Sequence, residues 1–116
     1  MPSVPRGLTL SADPLLVMTT CADAVQAREL ATALVAQRLA ACVNSLPHVS
    51  STYRWDGKIE RSEECLLLIK TTRDRFAALE REIKARSRYE LPEVLAVRVD
   101  GGSAEYLSWV EACVAT

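Results

Sequence analysis

A long β-hairpin constrains this chain more than any other feature of its sequence. Two apolar segments, Ala41 to Trp55 and Lys58 to Thr71, are joined by Asp56-Gly57, a pair that favours a two-residue type I′ turn because both central residues must take positive φ. Such a turn predicts Trp55 opposite Lys58 and Tyr53 opposite Glu60. Each arm runs to about a dozen residues, roughly twice a typical strand, and a chain of 116 residues cannot cover that much ribbon with its own mass. The uncovered part, tipped by Tyr53 and Trp55, predicts a partner subunit, since an exposed apolar edge is otherwise a site of aggregation. Pro47 cannot donate to a ladder and predicts a bulge, bend or edge position in the first arm.

The remaining elements follow from periodicity. Leu15 to Thr20 is a short apolar run after Pro14 and reads as a buried central strand. Asp23 is placed to cap a helix whose apolar positions, Ala27, Leu30, Ala31, Leu34, Val35 and Leu39, recur at three and four and carry it to near Leu39. Cys65 to Ile69, in the second hairpin arm, is apolar on both faces and needs cover on two sides. Phe76, Leu79 and Ile83 mark a second helix with Asp74 in its first turn, which Pro92 keeps from continuing. Val94 to Val99 reads as a strand closed by Asp100-Gly101-Gly102, and Ser103 can cap a last helix carrying Tyr106, Leu107, Trp109, Val110 and Val114. Strand, helix, strand, strand, helix, strand and a C-terminal helix form an α+β chain, a ferredoxin-like βαββαβ sandwich with helices on one face of an antiparallel sheet. Residues 14–116 are read as one such domain, and residues 1–13, with Pro2, Pro5 and Gly7 and no apolar core of a secretory signal, as a flexible arm.

Composition excludes several function classes. A net charge of −1 supplies no global attraction to nucleic acid or anionic membrane, and the basic stretch Lys70 to Arg88 is accounted for by a solvated helix face. No apolar run approaches a membrane span. The four cysteines, Cys21, Cys42, Cys65 and Cys113, form no Cys-x-x-Cys pair, which argues against a zinc finger or a thioredoxin-type site and for thiols in a reducing compartment. The single histidine, His48, has no locally paired nucleophile, no glycine-rich phosphate loop follows the first strand, and Glu63 and Glu64 point to opposite faces of a strand. These observations predict no enzyme.

Two sets of residues carry what chemistry remains. Glu64, Leu66, Leu68 and Lys70 share one face of the second arm, with the two charges roughly 20 Å apart at about 3.3 Å per residue, so neither neutralises the other. A buried charge there needs another partner, and Tyr53, Arg88, Tyr89, Glu90 and Glu93 are the candidates, supplied across a subunit boundary. Cys42, opening the first arm in Leu39-Ala40-Ala41-Cys42-Val43-Asn44, is a thiol that could hold a soft or borderline metal with a second thiol beside it; an inert buried thiol is the alternative.

The segments Arg38 to Asn44, Tyr53 to Glu60, Ile69 to Thr72, Tyr89 to Glu93 and Tyr106 to Trp109, in that order, resemble the CutA divalent-cation tolerance proteins over about Leu15 to Val114. The resemblance implies a ferredoxin-like homotrimer whose hairpins wrap neighbouring subunits, with a cleft at each interface. It also implies a cytoplasmic protein linked to tolerance of copper and other divalent cations, with no established catalytic reaction, and an architecture similar to the PII signalling proteins. Ser87-Arg88-Tyr89-Glu90 stands where the family usually has His-Pro-Tyr-Glu, so the histidine often proposed as a copper ligand is missing. Thr19 stands where some members carry a cysteine. Direct metal contact is therefore expected from Cys42, together with Cys21, with copper or another divalent cation as the ligand and no obligatory cofactor. The alternative is a regulatory module whose interface cleft, formed by Tyr53, Trp55, Glu64, Lys70, Tyr89 and Glu93, takes a small polar or anionic ligand.

Overall fold

A computed structural model describes residues 13–115; apart from Asp13, the expected arm lies outside the described residues. The elements run β1 (Pro14–Cys21), α1 (Ala24–Ala36), β2 (Cys42–Trp55), β3 (Lys58–Thr72), α2 (Arg73–Arg86), β4 (Leu95–Arg98) and α3 (Ala104–Val114). The strands form one antiparallel sheet in the order β2-β3-β1-β4. β3 and β1 therefore occupy the centre, as a split βαβ arrangement requires.

Alternation along the central strands fixes the two faces. Leu15, Val17, Thr19 and Cys21 on β1 and Cys65, Leu67, Ile69 and Thr71 on β3 are buried. They pack under α1 and α2 with Ala27, Leu30, Leu34, Leu79 and Ile83. The intervening residues, Leu16, Met18, Leu66 and Leu68, are only half-buried, and β4 adds Leu95 and Val97, 55% and 46% exposed, opposite Met18 and Leu16. One sheet face is thus core, and the other is apolar with little cover. At one end of the molecule α3 lays Val110 and Val114 against Ala41, tied by the Arg75 Nε donating to the Val114 carbonyl at 2.8 Å.

The hairpin has the expected register. Trp55 opposes Lys58 and Tyr53 opposes Glu60, across a turn in which Asp56 (φ 55°) and Gly57 (φ 76°) are both left-handed. The bulge expected at Pro47 is present. Pairing jumps from Leu46↔Leu66 to Val49↔Glu64, and His48 takes φ 59°. Beyond that bulge the ribbon leaves the body, and the molecule measures 53 × 26 × 24 Å.

Two expectations need correction. The first helix ends at Ala36, not near Leu39. Arg38 is left-handed (φ 57°), its N–H donates to the Val35 carbonyl, and the Leu39 N–H donates to the Leu34 carbonyl at 2.9 Å. Those two bonds define a Schellman cap, and Leu39 keeps the helical spacing only because the cap folds it back onto the core. The last strand is four residues, without Val94 and Val99, although the Val99 N–H still reaches the Pro14 carbonyl.

Candidate functional site

The root of the hairpin, where it emerges from the sheet, meets the segment between α2 and β4 in an open groove of about 510 Å3. Its floor comes from the strand faces left uncovered by the helices: Thr20 on β1, Ser51 and Tyr53 on β2, and Ser62 and Glu64 on β3. These are neighbours because the antiparallel register places Ser51 opposite Ser62 and Tyr53 opposite Glu60, which puts same-face side chains side by side. The wall is Tyr89 to Leu91 with Glu93, a stretch that Pro92 keeps out of helix.

Glu64 is the polar centre of the groove. It is half-buried, and the Tyr89 hydroxyl donates to its Oε2 at 2.6 Å. Burial alone would raise its pKa, but hydrogen bonds from Ser51, Tyr89 and Thr20 outweigh that and hold the carboxyl below the ordinary glutamate range, so it is a carboxylate near neutral pH. The same contact, added to burial, pushes the Tyr89 phenol well above the usual tyrosine value. Tyr53 and Trp55 present their rings, each 43% exposed, and the Ser62 hydroxyl lies 3.5 Å from the Tyr53 oxygen.

Five of the six residues assigned to a cleft from sequence, Tyr53, Trp55, Glu64, Tyr89 and Glu93, line this groove. Lys70 does not. It lies six residues along β3 from Glu64, opposite Cys42, and its ammonium donates to the Asn44 side chain. Its place in the lining is taken by Glu90, so the groove carries three carboxylates and neither lysine nor arginine among its described lining residues. Arg88, one residue away, turns to Asp23 at 3.1 Å. Of the small polar or anionic ligand that the alternative reading of the sequence offered, that charge balance suits the anionic kind poorly and a cation better.

The thiols assigned to metal are separated. Cys42 opposes Lys70, on the sheet face away from α1 and α2, beside Tyr106, whose phenol is pushed up first by burial and then by the neighbouring thiols Cys42 and Cys113. Cys21 ends β1, buried on the core face opposite Cys65. The two lie five residues apart along β3 and on opposite faces, so one protomer cannot join them at one ion. The thiol close to Cys42 is Cys113: burial first and then the Cys42 charge push it upward, while Arg38 opposes. Spacing could not show this, because α3 brings Cys113 back from the far end of the chain. A divalent cation held by four or more donors does not fit within one protomer, since no three His, Cys, Asp or Glu side chains converge among the described residues. No helix among them is long and apolar enough to cross a membrane.

Comparison with known proteins gives a consistent result. Residues 15–113 match the family described as CutA1 divalent ion tolerance protein. The divalent-cation tolerance protein CutA of Thermus thermophilus is 43% identical over 95 residues, covering 82% of this chain and 92% of its own length. The chloroplastic protein CutA 1 of Oryza sativa is 37% identical over 97 residues, covering 84% of this chain, which spans 55% of that longer relative. The crystal structure of CutA from Xylella fastidiosa superposes with a TM-score of 0.87 at 43% identity, over 90% of this chain and 100% of that one. The rice relative is named as chloroplastic, so members of the family are not confined to the cytoplasm expected from sequence.

Proposed function

Because the chain belongs to the CutA1 divalent ion tolerance protein family, we propose that it serves divalent-cation tolerance as a homotrimer, with the groove at the hairpin root as a binding site for a small organic cation. The observation that carries the ligand assignment is the lining itself. Glu64, Glu90 and Glu93 supply negative charge, Tyr53, Trp55 and Tyr89 supply aromatic faces, and no basic side chain among the described lining residues competes. An ammonium or guanidinium group gains both from the carboxylates and from the ring quadrupoles, the latter worth about 0.5–2 kcal/mol per contact. The groove volume suits a ligand of modest size. The trimer supplies cover for the half-buried face Leu16, Met18, Leu66 and Leu68 and for the ribbon beyond the bulge.

The reading is tested by thermal shift and calorimetry with spermidine, choline and arginine amide set against citrate, 2-oxoglutarate and ATP. The cations are expected to raise the melting temperature and the anions to leave it unchanged. Trp55→Ala and Glu93→Gln should each weaken cation binding by about fivefold or more, matching the loss of one cation–π or one charged contact. Equal responses in the parent and both variants would remove the groove from the site.

A further inference from the structure

On the core face of the sheet, away from the groove and independent of any ligand there, two cysteines face each other across β1 and β3. Cys21 is paired with Cys65 in the register, both are free thiols, and both are buried, 2% and 5% exposed. The kind of pair they form follows from the ladder. The Arg73 N–H donates to the Asp13 carbonyl at 2.8 Å, which makes Asp13↔Arg73 a hydrogen-bonded pair. Such pairs recur every second residue along an antiparallel ladder, through Leu15↔Thr71, Val17↔Ile69 and Thr19↔Leu67 to Cys21↔Cys65.

That geometry discriminates between two fates for a dithiol. Opposed Cβ atoms at a hydrogen-bonded pair stand about 5.5 Å apart, whereas a disulfide wants them at about 4 Å. A metal ion between two thiolates, with bonds of about 2.3 Å each, holds the sulfurs up to about 4.6 Å apart and needs no inward movement of the strands. Two thiolates and no further strong donor suit a soft ion of low coordination number, such as Cu(I), and not a hard divalent cation.

A second observation points to the same place. Cys21 lines a cavity of about 130 Å3 beneath α1 and α2, together with Thr19, Gln26, Ser87 and Arg88. Thr19, two residues before Cys21 on the same face, is 1% exposed, and its hydroxyl has no hydrogen-bond partner among the described residues. A buried O–H without an acceptor is uncommon, and a metal-bound thiolate in the cavity would supply one. The cavity also gives Cys21 a route out of the core. Burial first, and then the charges of Cys65, Asp23 and Glu64, outweigh Arg88 and keep its thiol protonated, so an entering ion must displace that proton.

We propose that Cys21 and Cys65 form a two-thiolate site for a soft monovalent cation of the Cu(I) class, entered through the cavity that Thr19 and Arg88 line. Binding one such ion releases both thiol protons and leaves a complex of charge −1. There is no change of oxidation state.

The test uses the full chain carrying Cys42→Ser and Cys113→Ser, so that only the core thiols remain, kept reduced and anaerobic. Cu(I) is added in competition with a chromophoric Cu(I) chelator. One equivalent is expected to bind, with a thiolate-to-copper absorption band, and to be lost on adding either Cys21→Ala or Cys65→Val, replacements that suit a buried site. Binding that survives either replacement, or no binding in the starting chain, overturns the assignment. A measurement on the unsubstituted protein guards against misfolded variants: Cu(I) should protect Cys21 and Cys65 from alkylation in the unfolding-quench peptide map. Equal labelling with and without Cu(I) also overturns it. Recovery of a Cys21–Cys65 disulfide under anaerobic Cu(I) would count against the metal site as well.

Discussion

Tyr89 is anchored at its backbone by Ser87 and at its ring by Glu64, and the ring contact sets the state of two ionisable groups. Its hydroxyl donates to Glu64, so burial and the adjacent carboxylate keep the phenol protonated above the ordinary tyrosine range, while the bond, with those from Ser51 and Thr20, keeps Glu64 ionised. The pH signs are opposite. The raised tyrosine contributes stability that is complete below about pH 10, the ordinary value, and is lost as pH rises through its folded value. The lowered glutamate contributes stability present above about pH 4.5 and lost as pH falls. Tyr89→Phe should cost about 1 kcal/mol, the worth of a partly exposed hydrogen bond to a charge, and should move the Glu64 carboxyl upward. In a titration at 295 nm the phenol removed by the substitution should be one that ionises above the ordinary range; a lost transition near pH 10 would contradict the contact. At this scale the sequence asked for a partner to Glu64 if it is buried and had Tyr89 among the candidates. It looked for that partner across a subunit boundary, whereas the structure supplies it from the same chain. It placed Lys70 in the cleft only because strand alternation reports a shared face, and a shared face is not proximity.

Elements were legible where their determinants are local. Asp56-Gly57 specifies its turn through two left-handed residues, and from that turn the hairpin register follows. Pro47 marks the bulge for an equally local reason, the missing donor. The end of α1 was misplaced because Leu39 keeps a helical spacing while sitting in the cap, and because Arg38, not glycine, takes the left-handed position. The pairing of Cys21 with Cys65 was not legible either, since it depends on the register of β1 against β3, strands separated by a helix and a hairpin arm. The cap carries its own prediction. A non-glycine residue at φ 57° costs about 1 kcal/mol, so Arg38→Gly should stabilise by about 0.5 kcal/mol once the greater freedom of glycine in the unfolded chain is subtracted. Arg38→Val, with a branched side chain in that region, should destabilise by about 1–2 kcal/mol. Urea unfolding of the pair decides the matter: the two variants must move the midpoint in opposite directions.

The whole molecule is shaped by an imbalance between its sheet faces. One is sealed by α1 and α2, while the other leaves Leu95 and Val97 about half exposed beside the half-buried Leu16, Met18, Leu66 and Leu68. β4, an edge strand of four residues, adds unpaired backbone along that same border. A solitary protomer would keep this surface in water, which soluble monomers rarely do with a contiguous patch of that kind. Assembly into the proposed trimer would cover it in three places at once, so substitutions there would act three times over. Leu95→Glu with Val97→Glu puts two carboxylates into each face the trimer would cover, and each unpaired buried charge costs several kcal/mol. Neither side chain belongs to the helix-covered core, so the protomer should keep its helical circular dichroism. Light scattering on the unsubstituted chain should report about 38 kDa, three protomers of 12.7 kDa. The double variant should fall to the protomer mass at micromolar concentration. A variant that retains the trimer mass would mean that the apolar face is not the surface through which copies meet, and a parent chain of protomer mass would mean that they do not meet at all.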